Sequence, residues 1–217
     1  MTTPTDPGIL TLAQWLSPSY PVGSFAYSHG LEAAVNRGEV VDADSLASWL
    51  RDVLQAGAGR FDALCLAAAC RADTRARVHE IDQTARAFAP SVERLRETDL
   101  QGAAFCDVTR AVWGLDLHAL TFPVAVGRAI GLAGLDQVTG SLMYLQAFIS
   151  NLAAAAQRLL PLGQTDAQRL IHDLAPLCRE IGQTTADGDL NDLSGTAFLT
   201  DIASMHHETQ YSRIFRT

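Results

Sequence analysis

Six histidines are the first candidates for chemistry in this chain, and two of them, His206 and His207, are adjacent. On a helix, neighbouring side chains diverge by about 100°, so the pair cannot readily chelate one ion as histidines four residues apart do. The sequence has no HExxH motif, nor the Glu-x-x-His motif that a di-iron bundle uses twice. His207 and Glu208 supply an acid and a base, but no third group is set by spacing to orient them. No GxSxG elbow marks a nucleophilic serine. The chain also contains no lysine, all 16 basic residues being arginine. That excludes a Walker A phosphate loop and a Schiff-base enzyme, since both need the amine.

The four cysteines, at 65, 70, 106 and 178, form no CxxC pair and each lies in an apolar run. They read as small, reduced core residues of a cytoplasmic protein. A metal site drawing on His206, His207 and Cys65 or Cys70 is the alternative chemistry, and acid–base catalysis by His207 and Glu208 a weaker one. The expectation is no catalytic residue, no metal ligand and no cofactor.

Polar residues in apolar surroundings remain: Tyr27, Ser28, His29 and Glu32; Arg94, Glu97 and Gln101; Gln146 and Asn151; Arg213 and Arg216. Tyrosine and arginine are favoured at interfaces. The same residues could equally satisfy helix ends and interhelical hydrogen bonds, and composition does not separate the two readings.

The elements that must position them are helices. The 217 residues are 48% hydrophobic and 18% charged, enough for one core-forming domain and too apolar for disorder. A net charge of −8 disfavours nucleic acid. Helical spacing runs through Ile9, Leu12, Ala13 and Leu16, and a second helix is expected from about Ser24 to Arg37, with Gly38 behind it. Asp44 can cap a third, and Thr165 with Gln168 forms a capping box. Pro123 suits a helix start, and Pro176 marks a kink or break. Residues 137–157 carry no charge yet hold too many amides and hydroxyls for a membrane span, so they read as a buried central helix. No strand pattern occurs. The fold class expected is all-α, a single-domain bundle of roughly eight to ten helices. Residues 1–8 are expected to be flexible, and the start of the chain lacks the pattern of a signal peptide. Residues 186–197, rich in Asp and Gly, read as a tether before a tail.

One stretch identifies a family. SPSYPVGSFAYSHGLEAAV, residues 17–35, resembles the N-terminal signature of the UreF family of urease accessory proteins, SPxLPVGxFSYSxGLE. The resemblance continues at RLRETDLQG (94–102), ISNLAAAAQRLLPLGQT (149–165) and DIASMHHETQYSRIFRT (201–217), in family order along nearly the whole chain. Tyr20 stands for the usual Leu, Ala26 for Ser and Thr217 for a common terminal Ser.

The resemblance implies a helical protein that dimerises, binds the accessory protein UreD (also called UreH), and recruits or regulates the nickel-carrying GTPase UreG for delivery to apo-urease. On that reading the phosphate loop belongs to a partner. The Pro/Gly turn then presents Phe25, Tyr27, Ser28 and Glu32 for docking, beside Arg94, Glu97 and Gln101. The tail, about 186–217, contributes His207, Glu208, Gln210, Tyr211, Arg213, Phe215 and Arg216. Its arginines can pair bidentately with carboxylates across an interface. It is expected to be mobile until a partner binds, the alternative being a tail docked on its own core.

Overall fold

The computed structural model describes residues 8–193 and 197–217. Among these residues there are ten α-helices and no strand. The expectations for residues 1–7, and for 194–196 within the tether, lie outside the described residues. The all-α reading stands.

Helix α1 (Gly8–Trp15) buries Leu12 and Trp15 and stops before Pro18, as its spacing predicts. The next expectation needs correcting. Residues 24–37 are not one helix: a single 3-10 turn, Ser24–Ala26, is followed by extended Tyr27, and α2 spans only Leu31–Asn36. The cause is local, because His29 (φ 60) and Gly30 (φ 81) both adopt left-handed backbone that a right-handed helix cannot contain.

Helices α3 (Ala43–Gln55) and α4 (Ala58–Arg71) follow. Asp42, not Asp44, caps α3, accepting the Ser45 N–H at 2.9 Å, while the Asp42 N–H donates to Ser45 Oγ at 3.1 Å. The stretch 43–71 is apolar and long enough to cross a membrane, but 61% of its most apolar window is buried within the fold. Helices α5 (Arg75–Ala87) and α6 (Val92–Trp113) are capped by Thr74 and Ser91.

Helix α7 (Phe122–Ala133) has Pro123 in its first turn and left-handed Gly134 just past its end. It lies directly on α4: a Cβ on Gly127 would sit 2.1 Å from the Leu66 carbonyl oxygen, and one on Gly131 2.3 Å from that of Cys70. Only bare glycine lets the two backbones meet. Helix α8 (Gln137–Leu159) is the charge-poor helix, but one side of it stays half-exposed, and the centre of the core is the α4–α7 pair. Helix α9 (Gln164–Thr184) starts after Gly163 with no side-chain cap, so the Thr165/Gln168 box does not form, and it runs through Pro176 without ending. Helix α10 (Phe198–His207) closes the chain against α2 and α6.

Candidate functional site

The four signature segments lie far apart in sequence and meet at one place. Helix α10 reaches α2 where Gly30 has no side chain, since a Cβ there would stand 2.8 Å from the Ser204 nitrogen. The chain then turns back and residues 213–217 run along the start of α2.

Glu32 organises this contact. Its carboxylate accepts the N–H of Ile214 at 2.8 Å and that of Phe215 at 2.9 Å, and its Oε2 lies 3.4 Å from His207 Nε2. The other nitrogen of His207, Nδ1, is 2.7 Å from Glu93 Oε2, and Arg213 pairs with the second oxygen of Glu93. The Ser28 N–H donates to the Thr217 main-chain oxygen at 3.0 Å, the Ser28 hydroxyl donates to the same atom, and the Arg216 N–H donates to the Ala26 carbonyl at 2.9 Å. The tail is therefore held along α2 through its own main chain, by the N–H groups of Ile214, Phe215 and Arg216 and the Thr217 oxygen.

Glu97 anchors the far end. It accepts from the Thr217 hydroxyl at 2.7 Å and from the Gln101 amide at 3.2 Å, and forms an ion pair with Arg94 one turn earlier on α6. Burial opposes its ionisation, but the Arg94 charge and the nearby His29 outweigh that, holding its pKa to about 2. Glu208 turns back to accept the Val92 and Glu93 N–H groups at 2.7 and 3.2 Å, completing with Ser91 the cap of α6. From α8, Asn151 donates to the Ser24 carbonyl at 3.0 Å. Arg158 donates to the Phe25 carbonyl at 3.1 Å and lays its guanidinium 4.2 Å over the Phe215 ring.

A UreF family model matches residues 40–175. The urease accessory protein UreF of Ruegeria pomeroyi is 55% identical over 217 residues, covering all of both chains. That of Ruegeria sp. strain TM1040 is 56% identical, covering 98% of this chain and all of its own. This chain belongs to the UreF family. The UreF of Rhodopseudomonas palustris strain BisB5 is 42% identical over 95% of this chain and 90% of its own.

In this UreF chain the sequence-predicted residues divide sharply. Tyr27, Ser28, Glu32, Arg94, Glu97, Gln101, His207 and Phe215 are buried, each under a tenth exposed. They are the intramolecular network, so in the single chain Tyr27 and Glu32 do not form a free docking surface. Phe25 at 72%, Tyr211 at 104% and Ile214 at 58% are exposed, and Glu208, Arg213 and Arg216 are exposed beside them. Gln210 donates to the Ser212 carbonyl at 2.9 Å, shaping the turn that carries Tyr211. The tail is docked on its own core, the arrangement weighed as the alternative to a mobile one. His206 is exposed while His207 is committed to two carboxylates, so the two do not converge on an ion. Among the described residues no cluster of three or more His, Cys, Asp or Glu side chains is arranged to hold a metal.

Sequence reasoning missed Asp62 and Tyr144, and it named His29 among the misplaced polar residues without giving it a role. The Tyr144 hydroxyl donates to Asp62 Oδ2 at 2.7 Å. Burial drives the Asp62 carboxyl up to about 6, against the lowering effect of Arg94 and of this hydrogen bond. The available signal was a lone carboxylate inside the otherwise apolar run FDALCLAAAC.

Proposed function

We propose that this chain is a non-catalytic cytoplasmic scaffold for urease maturation: a dimer that binds UreD/UreH and recruits or regulates UreG for nickel delivery to apo-urease. The observation that carries the reading is the docked tail. Family signature residues that are hundreds of ångströms apart along an extended chain converge on one network whose buried part is fully internal. Its outer rim presents Phe25, Tyr211, Ile214 and Arg216, a grouping of aromatic, aliphatic and guanidinium side chains with the composition of an interface core. Rigid presentation from a fixed turn lowers the ordering cost of association. The acidic, lysine-free chain has no phosphate loop of its own, so nucleotide chemistry falls to a partner.

Size-exclusion chromatography with light scattering tests the reading. The chain alone should elute as a dimer, and with UreD and UreG it should enter a larger complex. Tyr211→Ala and Phe25→Ala should weaken that complex without lowering the melting temperature. Failure of the unmodified chain to co-elute with either partner would overturn the scaffold role. Unchanged assembly by both variants would remove the tail and turn from the interface.

A further inference from the structure

A cavity of about 570 Å³ opens between α1, the 17–29 segment, α6 and α8. That volume is in the range of small-molecule sites. Its walls are apolar, with Trp15, Phe122, Met143 and Phe148 among them. Its floor is charged: Asp62, Arg94 and Glu97, with His29 and Tyr144. A smaller cavity of about 70 Å³ shares His29, Asp62 and Arg94.

This floor is not balanced by the chain itself. Arg94, the one cation among the lining residues, is ion-paired with Glu97 on its own helix. Asp62, 8% exposed, receives Tyr144 on Oδ2, and among the described residues no donor reaches Oδ1. A buried carboxylate with one neutral partner is costly and calls for a cation. His29 does not supply one, because burial and the Arg94 charge hold its pKa to about 4. Instead its Nδ1 is buried without a hydrogen-bond partner, 3.9 Å from Glu97 Oε1. The residue adopts a left-handed backbone (φ 60) that non-glycine residues rarely take, and its ring stands edge-on to Phe148 with centroids 5.0 Å apart. Asp62 and His29, each more than nine-tenths buried, thus line an apolar cavity with bonding capacity unused, beside an Arg94 Nη1 that is ion-paired to Glu97 but makes no well-formed hydrogen bond, and the lining carries one negative charge in excess.

We propose that this cavity binds a small organic cation, a primary ammonium head set against Asp62 and His29 on an aromatic or aliphatic body lying along Trp15, Met143 and Phe148. The ammonium supplies donors to the Asp62 carboxylate, whose Oδ1 receives none from the described residues. The aromatic walls add the attraction of ring faces for a cation. A carboxylate of the same shape would meet the excess negative charge and be rejected, and a neutral alcohol would leave that charge unpaired.

Isothermal titration of the full chain with 2-phenylethylammonium, 2-phenylethanol and 3-phenylpropionate decides the matter. At about pH 7.5 the amine should bind at least about tenfold more tightly than either analogue. Asp62→Asn keeps an acceptor for Tyr144 and should bring the amine down to the level of the alcohol. In the unmodified protein the amine affinity should fall several-fold between about pH 7.5 and about pH 5 as Asp62 takes up a proton. Over that interval the other titratable groups facing Asp62 keep their state, Glu97 on α6 ionised and Tyr144 on α8, Cys65 on α4 and His29 neutral, beside the Arg94 guanidinium. Should Asp62→Asn fail to fold, the pH series stands by itself. Equal affinity for amine and alcohol, affinity independent of pH, or no saturable amine binding would each overturn the assignment.

Discussion

Glu32 and Phe215 are 183 residues apart in sequence, and a carboxylate oxygen of the first accepts the main-chain N–H of the second at 2.9 Å. The other oxygen takes Ile214 at 2.8 Å. One side chain on α2 thus caps a bend of the tail as an N-terminal residue caps a helix.

Replacing that carboxylate should loosen the tail. Glu32→Gln offers a single acceptor where two N–H groups need one, and an unsatisfied buried donor costs about 1–3 kcal/mol. Hydrogen exchange at residues 214–215 should speed up by one to two orders of magnitude, on the scale of about 1.4 kcal/mol per factor of ten, while far-UV circular dichroism stays unchanged. Protection as strong as in the unmodified chain would show that Glu32 does not hold the tail.

Tyr211 tests the opposite case. Its side chain is fully exposed, so Tyr211→Ala should leave the melting temperature within about 1 °C, the ordinary range for surface changes. If it is an interface anchor, the affinity for UreD or UreG should drop about ten- to a hundredfold. Removing residues 207–217 would confound the two effects, because it takes away buried His207 and Phe215 as well.

The α4–α7 contact permits no side chain. Gly127→Ala places a methyl 2.1 Å from the Leu66 carbonyl oxygen, and backbone cannot move aside as a flexible side chain can. We expect a loss of about 3 kcal/mol, visible as a clear fall in denaturation midpoint. Gly134→Ala, where the space is open, should cost less, mainly through its left-handed backbone.

Acidity should act in two opposed ways. The folded pKa of Asp62 is raised to about 6, so the fold favours its neutral form and loses stability as pH rises from its ordinary carboxylate range through 6. His29, lowered to about 4, favours its neutral form too, and its contribution is lost as pH falls from its ordinary value toward 4. Asp62→Asn removes the first effect alone. It should therefore raise the denaturation midpoint near pH 7.5, leave it almost unchanged near pH 4, and expose the His29 slope between. A variant that is less stable near neutral pH would contradict the burial of an ionised Asp62.

Fold class, helix number and family were legible in the sequence because each rests on local or collinear information. Apolar spacing, proline and glycine placement, and four ordered motifs need no knowledge of what lies across the core. The break in residues 24–37 was less legible, since SHGLEAAV has good helical spacing. The left-handed backbone at His29 is maintained by what packs on it, namely Phe148, the tail and α10 at Gly30. The candidate site was half legible. Its residues could be named as polar groups in odd places, but the sequence left docking and internal pairing equally open. Only the tertiary structure decided that Glu32 and His207 face each other, and that Glu32 and Glu97 hold the tail, leaving Phe25 and Tyr211 outside. Asp62 shows the physical reason most plainly. A carboxylate on an apolar helix has no meaning until the Tyr144 hydroxyl, the His29 ring and the Arg94–Glu97 pair arrive from three other segments, because burial and partnership are properties of distance in space.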